Sequence, residues 1–149
     1  ELGCDILVLD WTMSEVEIIY KDLSYELMGI LFRVHRRLGN SYQEKYYQRA
    51  IEIEFSKEGI PYKREVLVKL DYENESIGRY FLDFVVQGKI ALEIKTVPFM
   101  SKEYLYQVLA YLNATHLKLG IVANFRTNRL TYKRLVNPRV KIWIIRSFV

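Results

Sequence analysis

The most strand-like stretch of the chain, residues 79–96, constrains the fold more than any other feature. It reads RYFLDFVVQGKIALEIKT, in which two apolar runs flank a Gln-Gly pair. Short apolar runs joined by a glycine turn predict a β-hairpin. The strands nevertheless contain Asp83, Glu93 and Lys95, at positions where apolar side chains would pack better. Any fold proposed for this chain has to explain where these three side chains go.

Three other stretches predict amphipathic helices, because apolar residues recur in them every three to four positions. Short polar side chains stand where each helix would begin, and such residues cap helix N-termini. We expect Asp22 or Ser24 to cap the first helix and Ser41 to cap the second. Ser101 is the expected cap of the third. The helices are predicted at residues 22–40, 41–59 and 101–115.

Further strands are predicted before and after the hairpin. Alternating apolar residues precede it, so three strands are expected to form a meander. The element order α-α-β-β-β-α-β, followed by one or two more strands, predicts an α/β (α+β) fold, in which a mixed sheet has helices against its faces. The additional strands are predicted at residues 64–72, 117–125, 129–135 and 139–148.

The length of 149 residues predicts a single domain, which we assign to residues 13–149. Residues 1–12 lack the features of a signal peptide, and Met13 is a candidate start, so we interpret them as an N-terminal extension. The lone Cys4 excludes a disulfide framework and fits a cytoplasmic setting. No apolar run has the length of a membrane span, so no membrane partner is expected.

Basic residues are concentrated in the last third of the chain. The formal net charge is +4, and no acidic residue follows Glu103. This asymmetry favours an anionic partner, foremost nucleic acid, although a solvated basic surface would look the same. The residues expected to contact nucleic acid are Arg126, Arg129, Lys133 and Arg134.

The three charged residues of the hairpin are expected to converge. Glu93 and Lys95 are two residues apart, so they share a strand face at a spacing of roughly 6–7 Å. A tight hairpin brings Asp83 alongside them. Two adjacent carboxylates repel each other unless a positive charge intervenes, and Lys95 or a divalent metal ion would supply it. This arrangement suits phosphodiester hydrolysis by a metal-activated water. A Glu93–Lys95 ion pair on an edge strand is the alternative interpretation.

Two helices add polar groups that belong to the same hypothesis. Glu44 lies on the apolar stripe of the second helix, and a buried carboxylate there would need a metal ion or Lys95 as partner. It would otherwise serve as a first-turn acidic residue. Gln107 and Tyr111 are four residues apart on the third helix, so they share a face. A glutamine at this position would bind water or phosphate, or would simply mark the helix boundary.

Asp83 followed by Glu93-Ile94-Lys95 resembles the signature of the PD-(D/E)XK nuclease superfamily. Gln107-x-x-x-Tyr111 is similar to the QxxxY helix motif of the RecB-like branch of that superfamily. This resemblance implies the restriction-endonuclease-like fold with an αβββαβ core, which agrees with the element order predicted above.

A closer resemblance concerns the first two helices. Ser41-x-x-Glu44-x-x-Tyr47 resembles the naming motif of the GxxExxY proteins, a small prokaryotic family within the superfamily. The similarity runs over residues 23–125. Ser41 replaces the first glycine of the motif, which affects the expected turn geometry and removes no expected metal ligand.

The resemblance implies roles for the candidate site residues. Asp83 and Glu93 would be ligands of Mg²⁺ or Mn²⁺, and Glu44 would complete or support that site. Lys95 would be the catalytic lysine. By the same resemblance, Gln107 would position the substrate or a water.

Tyr111 would line the site. The implied activity is that of a metal-dependent nuclease, and the substrate we expect is DNA rather than RNA. The alternative is a non-catalytic module that binds nucleic acid or a protein on the same scaffold. A weaker alternative is a structural role as a homodimer, suggested by 12 tyrosines and an apolar C-terminal strand.

Overall fold

The computed structural model describes residues 19–140, which form one five-stranded sheet with helices on both faces. The predicted order of elements and the mixed α/β class are confirmed, as a restriction-endonuclease-like core requires. In chain order the elements are α1 (Lys21–Leu38), α2 (Glu44–Glu58), β1 (Tyr62–Tyr72), β2 (Glu75–Val86), β3 (Ile90–Lys95), α3 (Lys102–Thr115), β4 (Leu119–Asn124) and β5 (Thr131–Val136).

The strands lie in the order β1-β2-β3-β4-β5 across the sheet. The first three form the predicted antiparallel meander. β4 runs parallel to β3, with Lys95 opposite Asn124, because α3 carries the chain back between them. β5 returns antiparallel to β4. The ends of β3 and β4 therefore lie side by side at one edge of the sheet, which is called the β3/β4 edge below.

The two faces of the sheet bury two separate apolar clusters. Leu92 and Ile94 of β3 pack with residues of α1 and α2, whereas Ala91 packs with residues of α3. The alternation predicted for β3 is thus confirmed, and Glu93 and Lys95 project toward the α3 side.

In β1 and β2 the side chains switch from one face of the sheet to the other at Glu65 and Asp83, which lie across from each other. Leu82 packs toward α3, although Phe84, two residues further on, packs toward α1 and α2. A regular strand would place both side chains on one face. The Glu65–Asp83 pair is missing from the ladder between Arg64–Phe84 and Val66–Leu82, and Glu65 has a left-handed backbone conformation with a φ of 48°. The side chains of the β1–β2 hairpin therefore change faces next to Asp83.

Two of the three predicted helix caps are wrong. α1 begins at Lys21, so Asp22 and Ser24 lie inside its first turn. α2 begins at Glu44 after Gln43, so Ser41 lies too far upstream to cap it. Ser101 caps α3 as predicted, because its hydroxyl accepts a hydrogen bond from the backbone N–H of Tyr104 at 3.2 Å.

Tertiary contacts explain why the two predicted caps fail. The hydroxyl of Tyr47 donates to the carbonyl of Gly39 at 2.6 Å and accepts from the backbone N–H of Tyr42 at 3.3 Å. These bonds fix the segment before α2 and leave Ser41 exposed. Ser24 is buried, and its hydroxyl is a partner of the Arg134 side chain.

The predicted N-terminal extension, residues 1–12, and nearly all of the last predicted strand, residues 139–148, lie outside the described part of the chain. Between residues 19 and 140, no helix combines the length and the apolar character that a bilayer span requires.

Candidate active site

Asp83 and Glu93 lie opposite each other, immediately beyond the point where the β2–β3 ladder ends. The ladder runs from Val86–Ile90 to Phe84–Leu92. At the next position the Asp83 N–H donates to Glu93 Oε1 at 2.8 Å, and the Ile94 N–H donates to Asp83 Oδ2 at 2.7 Å. Each carboxylate thus accepts a backbone N–H from the opposite strand. The two side chains are held together by fixed backbone, as a binding site requires.

The two carboxylates sit in an environment that disfavours their charge. Glu93 is only 1% exposed, and burial together with the nearby Asp83 raises the pKa of Glu93 to about 7. Burial also raises the pKa of Asp83, and the nearby Glu44 adds to that shift. The Ile94 N–H and the positive charge of Lys95 act in the opposite direction on Asp83. A cation placed between the carboxylates would relieve this cost.

Two tyrosines hold Glu93 from the α3 side. The hydroxyls of Tyr80 and Tyr104 both donate to Glu93 Oε2, at 2.8 and 3.1 Å. Burial raises the pKa of both phenols, and the Glu93 charge adds to this, so both remain proton donors. Glu93 is therefore fixed in one orientation by three hydrogen bonds.

Sequence reasoning missed the role of both tyrosines. Tyr80 precedes Asp83 by three residues, so a regular strand would place the two on opposite faces. The change of side-chain face next to Asp83 brings the two residues to the same face. Tyr104 lies on the same face of its helix as Gln107 and Tyr111, as its spacing predicts, but helix periodicity does not show that this face meets β3.

Lys95 projects from β3 over the ring of Tyr104, with Nζ 4.5 Å from the ring centroid. The ion pair expected with Glu93 or Glu44 is not formed among the described residues. The tyrosine ring attracts the ammonium group through its π face, which requires no carboxylate partner. Lys95 therefore stays near Asp83 with its N–H donors uncommitted to any carboxylate of residues 19–140.

Glu44 stands at the first position of α2, at the partly exposed end of the predicted apolar stripe. Its Oε1 accepts a hydrogen bond from the Thr96 N–H at 3.3 Å. Glu44 thus ties the start of α2 to the residue that follows Lys95, and its charge acts on Asp83 as described above.

The two residues of the α3 motif lie in different surroundings. The ring of Tyr111 stacks on that of Tyr80, with centroids 3.9 Å apart and planes 12° apart. Tyr111 therefore supports a tyrosine that holds Glu93. The Gln107 side chain is exposed and makes no hydrogen bond with any other described residue. It does not meet the carboxylates.

The predicted nucleic-acid-binding residues separate into two groups. Arg126, Arg129 and Lys133 are exposed. Arg134 is partly buried, and its guanidinium donates to Ser24 Oγ and to the carbonyl of Ile19. Arg134 therefore attaches the sheet to the start of α1.

A buried asparagine at the β3/β4 edge was also missed by sequence reasoning. Asn124 is 1% exposed; its Nδ2 donates to the carbonyl of Val97 at 2.8 Å, and its Oδ1 accepts from the Val97 N–H at 3.2 Å. The same Oδ1 accepts from the Arg126 N–H at 3.2 Å. His35 bonds through Nε2 to the carbonyl of Thr127 at 2.9 Å. The loops after β3 and β4 are therefore held to each other and to α1.

The donor set fits a hard divalent cation. Of the two Asp83 carboxylate oxygens, Oδ2 accepts a hydrogen bond from a described residue and Oδ1 does not, so Oδ1 is available to a cation. Glu93 Oε1 accepts one hydrogen bond and has a second lone pair. Mg²⁺ is commonly held by one or two carboxylates, with water and substrate phosphate completing its coordination. Residues 19–140 contain no group of three or more His, Cys, Asp or Glu side chains placed to hold a metal ion. Non-protein ligands would have to complete the coordination.

Comparison with known protein families gives one match. The model of a family described as the PD-(D/E)XK nuclease superfamily matches residues 21–135, most of the chain. The match includes Asp83, Glu93 and Lys95, together with the three helices and the first four strands. No curated protein and no solved structure matched the chain.

Proposed function

The chain belongs to the PD-(D/E)XK nuclease superfamily, and we propose that it hydrolyses phosphodiester bonds of nucleic acid at Asp83, Glu93 and Lys95 with Mg²⁺ or Mn²⁺ bound. Its mixed sheet between helices is the restriction-endonuclease-like fold. The observation that carries the proposal is the pair formed by the partly buried Asp83 and the buried Glu93, which is cross-bonded between two strands and has beside it a lysine that is not paired with a carboxylate of residues 19–140.

The carboxylates of Asp83 and Glu93 would hold the metal ion. When bound, the ion would offset the negative charge of the scissile phosphate and lower the pKa of the attacking water. The tyrosine hydroxyls and the Asp83 N–H keep Glu93 fixed. This pre-organisation avoids the cost of ordering the ligand when the metal ion and the substrate bind.

Lys95 would orient the attacking water or stabilise the charge that develops on the phosphate oxygens. Its partner among the described residues is a tyrosine ring, so its N–H donors remain available to oxygen atoms of the substrate. A lysine neutralised by a carboxylate would be less able to serve this role.

Three further residues have supporting roles in the proposal. Glu44 would anchor the Thr96 backbone and contribute negative charge toward the metal ion. Tyr111 would hold Tyr80 by stacking. Gln107, which is exposed, would act only through contact with the substrate.

The finer assignment to the GxxExxY family and the RecB-like branch is part of the proposal, and so is a prokaryotic origin. Contacts made by the motif residues support it. Tyr47 fixes the segment from Gly39 to Tyr42, and Glu44 reaches the end of β3. The motif thus links α2 to the candidate site.

The substrate proposed is DNA in preference to RNA, held by exposed basic residues. Arg126, Arg129 and Lys133 would contact the phosphate backbone, which positions the strand without reading its sequence. Arg134 would contribute less, because its guanidinium is occupied at α1.

A non-catalytic binding module is the second candidate function. The exposed side chains of Arg126, Arg129 and Lys133 favour it, since they could hold a phosphate backbone without any metal ion. Fold alone does not decide between the two functions.

The test is a cleavage assay on single- and double-stranded DNA and RNA with Mg²⁺, Mn²⁺ or EDTA. Lys95→Ala is compared with Lys57→Ala, a control at the exposed C-terminal end of α2. We expect metal-dependent cleavage that is lost in Lys95→Ala and retained in Lys57→Ala. Salt-sensitive binding without cleavage by any of these proteins would instead support the binding module.

A further inference from the structure

We infer that this site receives nucleic acid with unpaired bases, because exposed aromatic rings and cations surround the β3/β4 edge. The surface, called the aromatic rim below, consists of Tyr42, Lys45, Tyr46, Phe99 and Arg126. This inference rests on the proposed function and specifies its substrate.

The three aromatic residues of the rim are exposed to solvent. Phe99 is 77% exposed, Tyr42 50% and Tyr46 51%. Single exposed apolar side chains are common and need no explanation. These three, however, flank the segment that directly follows the candidate catalytic lysine, and basic side chains stand among them.

The loop that carries Phe99 is fixed where it leaves β3. Both backbone groups of Val97, two residues before Phe99, bond to the buried Asn124 side chain. The Arg126 N–H bonds to the same side chain. One asparagine therefore sets the position of the aromatic loop relative to an exposed cation, and such fixed positions reduce the entropy lost on binding.

The start of α2 is attached to this loop from the other side. Glu44 accepts the Thr96 N–H, and Tyr42 and Lys45 lie within two residues of Glu44. Lys45 Nζ is 5.1 Å from the ring centroid of Tyr46, and the rings of Tyr42 and Tyr46 meet edge to face at 6.0 Å. Tyr42, Lys45 and Tyr46 thus form one cluster at the start of α2, and this start is bonded to the loop that carries Phe99.

This combination fits unpaired bases better than a continuous duplex. An aromatic ring stacks on the face of a base, and every base has such a face, so this contact does not depend on sequence. Inside a duplex those faces are covered by neighbouring base pairs. Lys45 and Arg126 would meanwhile hold the phosphates through their charge. The class of substrate is single-stranded nucleic acid, or a duplex with an unpaired segment.

Binding in EDTA tests the inference independently of cleavage. The full chain is titrated with a fluorescent single strand of DNA, the same strand with abasic sites and a blunt duplex of the same sequence. We expect Phe99→Ala to weaken single-strand binding about tenfold and to leave duplex binding unchanged. Phe99→Trp should restore single-strand affinity, because it restores a stacking surface.

Tyr72→Ala is the matched control, since Tyr72 is 65% exposed and lies at the distant end of β1. It should change neither affinity. Abasic substitution should weaken wild-type binding at least as much as Phe99→Ala does, and Phe99→Ala should cost less affinity on the abasic strand than on the intact strand. Thermal unfolding of each variant checks that the fold is retained.

The possible outcomes separate this inference from the function it rests on. Equal losses on single strand and duplex, or no loss for Phe99→Ala, would overturn the inference and leave the nuclease proposal standing. Failure to bind any nucleic acid would overturn both. Preferential, base-dependent single-strand binding by a protein that never cleaves would support the rim and contradict catalysis.

Discussion

Lys95 and Tyr104 form a cation–π contact in which the lysine Nζ lies 4.5 Å from the ring centroid, and the hydroxyl of the same tyrosine donates to Glu93. One side chain of α3 therefore sets the positions of a candidate catalytic cation and a candidate metal ligand. The two contacts use different parts of the tyrosine, so substitution can separate them.

The first prediction concerns Tyr104. Tyr104→Phe keeps the ring beside Lys95 but removes one donor to Glu93, and we expect it to lower the free energy of unfolding by about 1–2 kcal/mol. Tyr104→Leu also removes the ring, and we expect its kcat to be lower than that of Tyr104→Phe while the Mg²⁺ affinities of the two variants stay similar. Equal kcat values for the two variants would show that the ring does not position Lys95.

The second prediction concerns pH and the metal-free protein. The pKa of Glu93 is about 7 in the fold against an ordinary value of 4.5, so the folded state binds the extra proton between these values. Stability should therefore fall as pH rises from about 4.5 to about 7, by on the order of 2–3 kcal/mol, and level off above.

Urea unfolding across this pH range in EDTA measures that slope. Glu93→Gln cannot ionise at this position, so it should flatten most of the decline. The raised pKa of Asp83 should leave a smaller residual slope of the same sign. An unchanged slope in Glu93→Gln would assign the pH dependence to other groups.

The third prediction separates the two contributions of Glu44. Glu44→Gln keeps an oxygen that can accept the Thr96 N–H but removes the charge that acts on Asp83. We expect it to retain or slightly raise stability and to weaken Mg²⁺ binding in calorimetry. Glu44→Ala should also destabilise the protein by about 1 kcal/mol, because the Thr96 N–H loses its partner. Wild-type Mg²⁺ affinity in both variants would exclude Glu44 from the metal site.

The fourth prediction concerns the strained strand residue beside the site. Glu65 has a φ of 48°, a conformation that costs an L-residue about 1–2 kcal/mol and suits glycine best. Glu65→Gly should therefore be more stable than Glu65→Val by about that amount. At Lys69, which pairs regularly with Arg79, the order of Gly and Val should be reversed. The same order at both positions would argue against strain at Glu65.

The sequence by itself determined the local parts of this protein. Alternation in residues 90–95 assigned Glu93 and Lys95 to one face, and the Gln-Gly turn brought Asp83 opposite them. The Ser101 cap was equally predictable. Each of these features depends on residues near one another in the chain, where periodicity and turn chemistry act directly.

Only the tertiary structure decided what surrounds the carboxylates. Tyr80 meets Glu93 because the side chains of β2 change faces beside Asp83. A prediction from strict alternation assumes that no such change of face occurs. Lys95 has a tyrosine ring as its partner where charge complementarity predicted a carboxylate. These contacts join strands and helices that are distant in sequence, so their selection depends on packing across the whole sheet. No local pattern records that packing.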